Sequence, residues 1–72
     1  MEKQEFLLNL GNRIKSIRKE KGISQSELAW RCNKDKQSIE RIENAKVNPS
    51  IFILSQLAKA LDISLSELTN GL

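Results

Sequence analysis

Apolar residues in this chain recur mostly at three- and four-residue spacing, which gives strands little support and points to helices. Phe6, Leu7, Leu10, Ile14 and Ile17 fall within roughly 100° of one another at about 3.6 residues per turn, so they predict the inward stripe of a first helix. Gly22 is placed to end that helix, and Gly11 should weaken its middle slightly. Proline occurs once, at Pro49.

The remaining helix starts are marked by capping residues. Ser24-Gln25-Ser26-Glu27 has the Ser-x-x-Glu form of a capping box and opens a second helix with Leu28, Ala29 and Cys32 on one side. Asn33 follows at a position where a left-handed residue would turn the chain sharply, and Asp35 is placed to cap a third helix. In that helix Ile39 and Ile42 point one way, while Gln37, Glu40, Arg41 and Asn44 point the other with Lys36 at the edge. Ser50 caps a fourth helix with Ile51, Leu54, Leu57, Ala58 and Leu61 inside. Ser64-Leu65-Ser66-Glu67, a second capping box, opens a short fifth with Leu65 and Leu68 inside. The prediction is an all-α fold of five short helices, in a single domain over residues 1–72.

Composition narrows the function. A chain of 72 residues buries a modest fraction of its surface and leans on good helix ends or on association with a second copy. It has no His and one Cys, so the side chains that most often do acid-base, metal or nucleophilic chemistry are scarce. We therefore expect no enzyme, no cofactor and no metal. Lone Cys32 cannot form an internal disulfide and reads as core. The apolar run Phe6-Leu7-Leu8 is too short for a signal peptide, and no stretch approaches the roughly 18 apolar residues of a membrane span. The expected setting is a reducing cytoplasm, with no membrane partner.

Charge is unevenly placed. Residues 13–46 carry ten Lys or Arg against five acids, a net +5, whereas the flanks carry two bases against four acids, a net −2. A basic middle suits a polyanion. Within it, two short helices at about 25–32 and 36–44, joined by a short turn, form a helix-turn-helix over about 24–44 that can present its second helix to the major groove. Base edges are read by Gln or Asn on adenine and by Arg or Lys on guanine, and Lys36, Gln37 and Arg41 supply those types on one face. Glu40 sits among them, where it would repel phosphate or accept from a cytosine amino group.

From about Leu10 onward the chain resembles the phage-repressor and Cro-like (XRE-type) helix-turn-helix family. The resemblance is carried by Arg13-Ile14, Arg18-Lys19-Glu20-Lys21-Gly22, Ser24-Gln25, Glu27-Leu28-Ala29, Ser38-Ile39 and Arg41-Ile42-Glu43-Asn44. It continues through Lys46, Asn48-Pro49-Ser50, Leu57-Ala58-Lys59-Ala60-Leu61 and Ser64-Leu65-Ser66-Glu67-Leu68. It implies a sequence-specific regulator of transcription, a repressor, bound to double-stranded DNA near the nucleoid of a prokaryotic or phage-infected cell. It implies base contacts from Lys36, Gln37, Arg41 and Glu40, and backbone contacts from Gln25, Ser24, Lys34, Ser38, Asn44 and Lys46. Gln25 is further expected to brace Gln37, and Arg18 to form a structural ion pair with Glu43. Asn33 and Ala45 stand where the family usually has glycine, so the loop after the third helix is expected to take a different shape.

Several apolar positions remain outside the predicted core. Trp30 is expected to be partly exposed over the stems of Arg31 or Lys34. Phe52 and Ile53, with Leu72, form a candidate homodimer interface that would set two recognition helices on an inverted repeat, half-site centres about 34 Å apart. The alternative reading is a protein-interaction module, such as an antitoxin, using the same fold. Met1 and the ending Asn70-Gly71-Leu72 suggest a complete chain.

Overall fold

Each helix begins where a short polar side chain can take over backbone N–H groups that have no partner inside the helix. The computed structural model describes residues 1–72 and contains five helices and no strand: α1 Lys3–Glu20, α2 Gln25–Arg31, α3 Lys36–Glu43, α4 Ile51–Ala60 and α5 Leu65–Thr69. Ser24 Oγ accepts from Glu27 N at 3.0 Å, Asp35 Oδ1 from Ser38 N at 2.7 Å, and Ser50 Oγ from Ile53 N at 3.1 Å. Only the Ser64 box is reciprocal, with Glu67 returning to the Ser64 N–H at 3.0 Å. In the Ser24 box Glu27 turns instead to Arg31, 3.0 Å away.

The first four helices end alike. Gly22, Asn33, Ala45 and Asp62 all lie in the left-handed region, with φ of 68°, 56°, 59° and 60°. Each is followed by an N–H that reaches back five residues: Ile23 to the Arg18 carbonyl at 3.0 Å, Lys34 to Ala29 at 2.8 Å, Lys46 to Arg41 at 2.8 Å and Ile63 to Ala58 at 3.0 Å. These are Schellman closures, and they hold whatever residue occupies the left-handed site. Ala45 therefore keeps the turn that glycine would make, contrary to the expectation of a differently shaped loop. The strain of a left-handed Ala, about 1 kcal/mol or somewhat more, is carried locally.

The core gathers where all five helices meet. Leu10, Ile14, Leu28, Ile39, Leu57, Leu61 and Leu68 are essentially inaccessible, and Cys32 is buried among them. Burial pushes the Cys32 thiol above its ordinary value, so it stays protonated. Two residues assigned inward are not. Phe6 and Ile51 are exposed, Ile51 by 67%. Both lie at the correct angle on their helices but in the first turn. Leu65 is half-buried against the core. Trp30 is 79% exposed, more than a ring lying over neighbouring stems would be. Arg31 points instead across to α4, where Nη1 donates to the Ala60 carbonyl at 3.1 Å. No helix is long and apolar enough to cross a membrane.

Candidate nucleic-acid interface

The two ends of α3 decide what the helix can present. At its C-terminal end Glu43 is buried, and its carboxylate accepts from Arg18 Nε at 2.7 Å and Arg18 Nη2 at 3.0 Å. The Arg18 guanidinium also donates to the Ile23 carbonyl at 2.9 Å. Its hydrogen bond to Glu43 raises the Arg18 pKa further above its ordinary value. The ion pair expected between α1 and α3 is thus present; it is bidentate and lies inside the fold.

Gln25 joins the same carboxylate. Its Nε2 donates to Glu43 Oε1 at 3.0 Å, so the amide is held by Glu43 and does not brace Gln37 as expected. One buried acid thereby fixes the start of α2 and a residue of α1. Gly11 completes the anchor: a methyl group at its Cα would overlap the Glu43 carbonyl, so α1 and α3 can approach this closely only because residue 11 lacks a side chain.

The N-terminal end of α3 is open. Asp35 caps it, and the Ser38 N–H it accepts draws its carboxyl below the ordinary value. Lys36, Gln37 and Arg41 are exposed and Glu40 is half-exposed, on the side away from buried Ile39 and Ile42. Lys36 Nζ lies 3.9 Å from Glu40 Oε1.

Around this face, Asn44 and Lys46 are exposed just past the helix end, Ser24 is exposed at the start of α2, and Gln25, Lys34 and Ser38 are half-buried. Lys34, Ser38 and Arg41 share a shallow groove of about 410 Å³ with Asn48, Pro49 and Ser50. Asn48, which the sequence places in a loop, carries an exposed amide at the edge of this groove. Phe52 is 66% exposed, whereas Ile53, which also lines this groove, and Leu72 are half-buried against their own core.

Residues 14–68 match the helix-turn-helix (HTH_3) family. The transcriptional regulator SinR of Bacillus licheniformis is 45% identical over 62 residues, covering 85% of this chain and 56% of that protein. The immunity repressor of Bacillus phage phi105 is 39% identical over 59 residues, covering 82% of this chain and 41% of that protein. The chain thus spans about half the length of these relatives. Among solved structures, the restriction-modification controller protein C.AhdI of Aeromonas hydrophila superposes with a TM-score of 0.84 at 35% identity, covering 86% of this chain and 94% of that one. With the match running from the middle of α1 to the end of α5, the chain belongs to the helix-turn-helix family of phage-repressor and Cro-like proteins.

Proposed function

We propose that the chain is a sequence-specific, double-stranded-DNA-binding regulator of transcription, acting as a repressor in the cytoplasm, with no catalytic turnover. The observation that carries this reading is the exposed face of Lys36, Gln37 and Arg41 on a helix whose other side and far end are buried. Base edges in the major groove call for these residue types, and the N-terminal part of a recognition helix is the part that reaches them. Glu40 lies within the same face. Ser24, Gln25, Lys34, Ser38, Asn44 and Lys46 surround it and take the DNA backbone, which fixes register without carrying sequence information. SinR and the phi105 repressor, both named as regulators, support the assignment.

The working unit in this reading is a homodimer on an inverted repeat. Phe52 supplies the centre of the shared surface, and neighbouring Ile51, also exposed, extends it. Ile53 and Leu72, already half-committed to their own core, supply its edge.

Titration of cognate and random duplexes tests the proposal. Gln37→Ala and Arg41→Ala should each cost about 1–3 kcal/mol on the cognate site and relax preference at single base positions. Equal losses on cognate and random DNA would remove both from base reading. Lys46→Ala should weaken all duplexes alike and reduce the slope of log K against log salt by about one.

A further inference from the structure

We infer that Lys36 and Glu40 act as one unit that reads a single G·C base pair, guanine under Lys36 and cytosine under Glu40. The inference rests on the proposal that α3 enters the major groove. The two side chains stand one helical turn apart with their charges 3.9 Å from each other, and each is about half exposed.

Their order is the wrong one for helix stability. A cation at the first residue of α3 faces the positive end of the helix dipole, which the Asp35 carboxylate caps but no acid within the first turn offsets further. Lys preceding Glu by four residues is also the weaker orientation of such a pair. α2 shows the favourable arrangement, with Glu27 in the first turn and Arg31 four residues later at 3.0 Å. A local rule broken on an exposed face points to side chains that serve a ligand.

Glu40 narrows that ligand. A carboxylate on a face turned toward phosphates is repelled unless it meets a donor. The strong donors in the major groove are the amino groups of cytosine and adenine. A G·C pair presents, in a row, the N7 and O6 acceptors of guanine and then the N4 amino group of cytosine. An ammonium can serve both acceptors and a carboxylate beside it the amino group. O6 and N4 are neighbours on the same base-pair edge, joined by a hydrogen bond of roughly 2.9 Å, so two side chains one helical turn apart with their charges adjacent can address both. An A·T pair, read from either side, presents acceptor, donor, acceptor. A carboxylate set on its central amino group then lies beside the second acceptor and is repelled.

Selection from randomised duplex DNA with the full chain tests this, using the wild type, Lys36→Ala, Glu40→Ala and Glu40→Gln, each checked for helix content and melting. The wild-type motif should contain a G·C position that both alanine variants relax by about tenfold, while other positions keep their preference. Glu40→Ala should also bind random DNA at least as tightly as the wild type, which simple structural damage would not produce. Glu40→Gln should move the same position toward A·T, since Gln pairs with adenine. If Glu40→Ala leaves every position unchanged, or if the two alanine variants relax different positions, the paired reading fails while the regulator reading stands. A wild-type chain that enriches no motif overturns both.

Discussion

The two ends of α3 carry one ion pair each and are built in opposite ways. At the C-terminal end, the Glu43 carboxylate is shut away with Arg18 at 2.7 Å, shares an oxygen with Gln25, and has its backbone pressed against Gly11. At the N-terminal end, Lys36 and Glu40 face each other at 3.9 Å in solvent. The buried pair holds a fixed geometry, because charges taken out of water must keep their partners. The exposed pair is screened and contributes little to folding. The division suits the proposed role of α3 in the major groove: a rigid anchor sets its angle, and Lys36 and Glu40 at the open end have no structural duty that would oppose substitution.

The largest effect should come from breaking the anchor. Glu43→Ala leaves the Arg18 guanidinium buried without its counter-charge and takes the acceptor from Gln25, so urea unfolding should show a loss of about 3–5 kcal/mol. In a domain of this size that is much of the total stability. Replacing both partners by apolar residues, Arg18→Met with Glu43→Leu, should recover most of it. A Glu43→Ala loss below about 1 kcal/mol would place the pair in the same class as the exposed one. Gly11→Ala comes next. Alanine is the better helix former by about 1 kcal/mol, yet here its methyl meets the Glu43 backbone, so a net loss of about 1–3 kcal/mol should lower the melting temperature. A higher melting temperature would mean that α1 and α3 are free to move apart.

This contrast explains which parts were legible in the sequence. The caps at Ser24, Asp35, Ser50 and Ser64 could be read because each needs only the residue three positions on. The outward face of Lys36, Gln37, Glu40 and Arg41 follows from period alone. Gly11 reads locally as a mild helix weakener, because the carbonyl that requires it belongs to a residue on another helix. Gln25 finds Glu43 for the same kind of reason: its partner depends on how three helices converge. Phe6 and Ile51 show the converse error, since period fixes the angle of a side chain but not whether anything lies across from it. Ala45 misled through propensity. Its own preference argued against a left-handed turn, and the bond from Lys46 N to the Arg41 carbonyl overrides it.

Acid should separate the two ends again, by a smaller margin. Hydrogen bonds from Ser38 and Ser64 hold the carboxyls of Asp35 and Glu67 below their ordinary values. Because the folded-state value is the lower one, the stability they lend is complete above the ordinary carboxylate range and is lost as pH falls through the lowered values. Asp35→Asn keeps an oxygen to cap α3 but cannot titrate. Its unfolding free energy should depend less steeply on pH in that acid window than the wild type's, while the two differ little in slope at neutral pH. Identical slopes in acid would show that the Asp35 charge contributes nothing to the cap.

The smallest effect is the most informative about recognition. In a double-mutant cycle with Lys36→Ala and Glu40→Ala, the stability coupling should be about 0.2–0.5 kcal/mol and should fade as salt is added, since both side chains are roughly half exposed. Ala at position 36 also removes a cation from the wrong end of the helix dipole, so that single variant should be neutral or slightly stabilising. Measured on DNA, the same cycle should give a coupling several times larger at one base pair, because there the two charges are desolvated together against an acceptor and a donor. A coupling that is equally small in both measurements would leave Lys36 and Glu40 as independent contacts. One that is large in folding would make the reading end part of the scaffold and erase the difference between the two ends of α3.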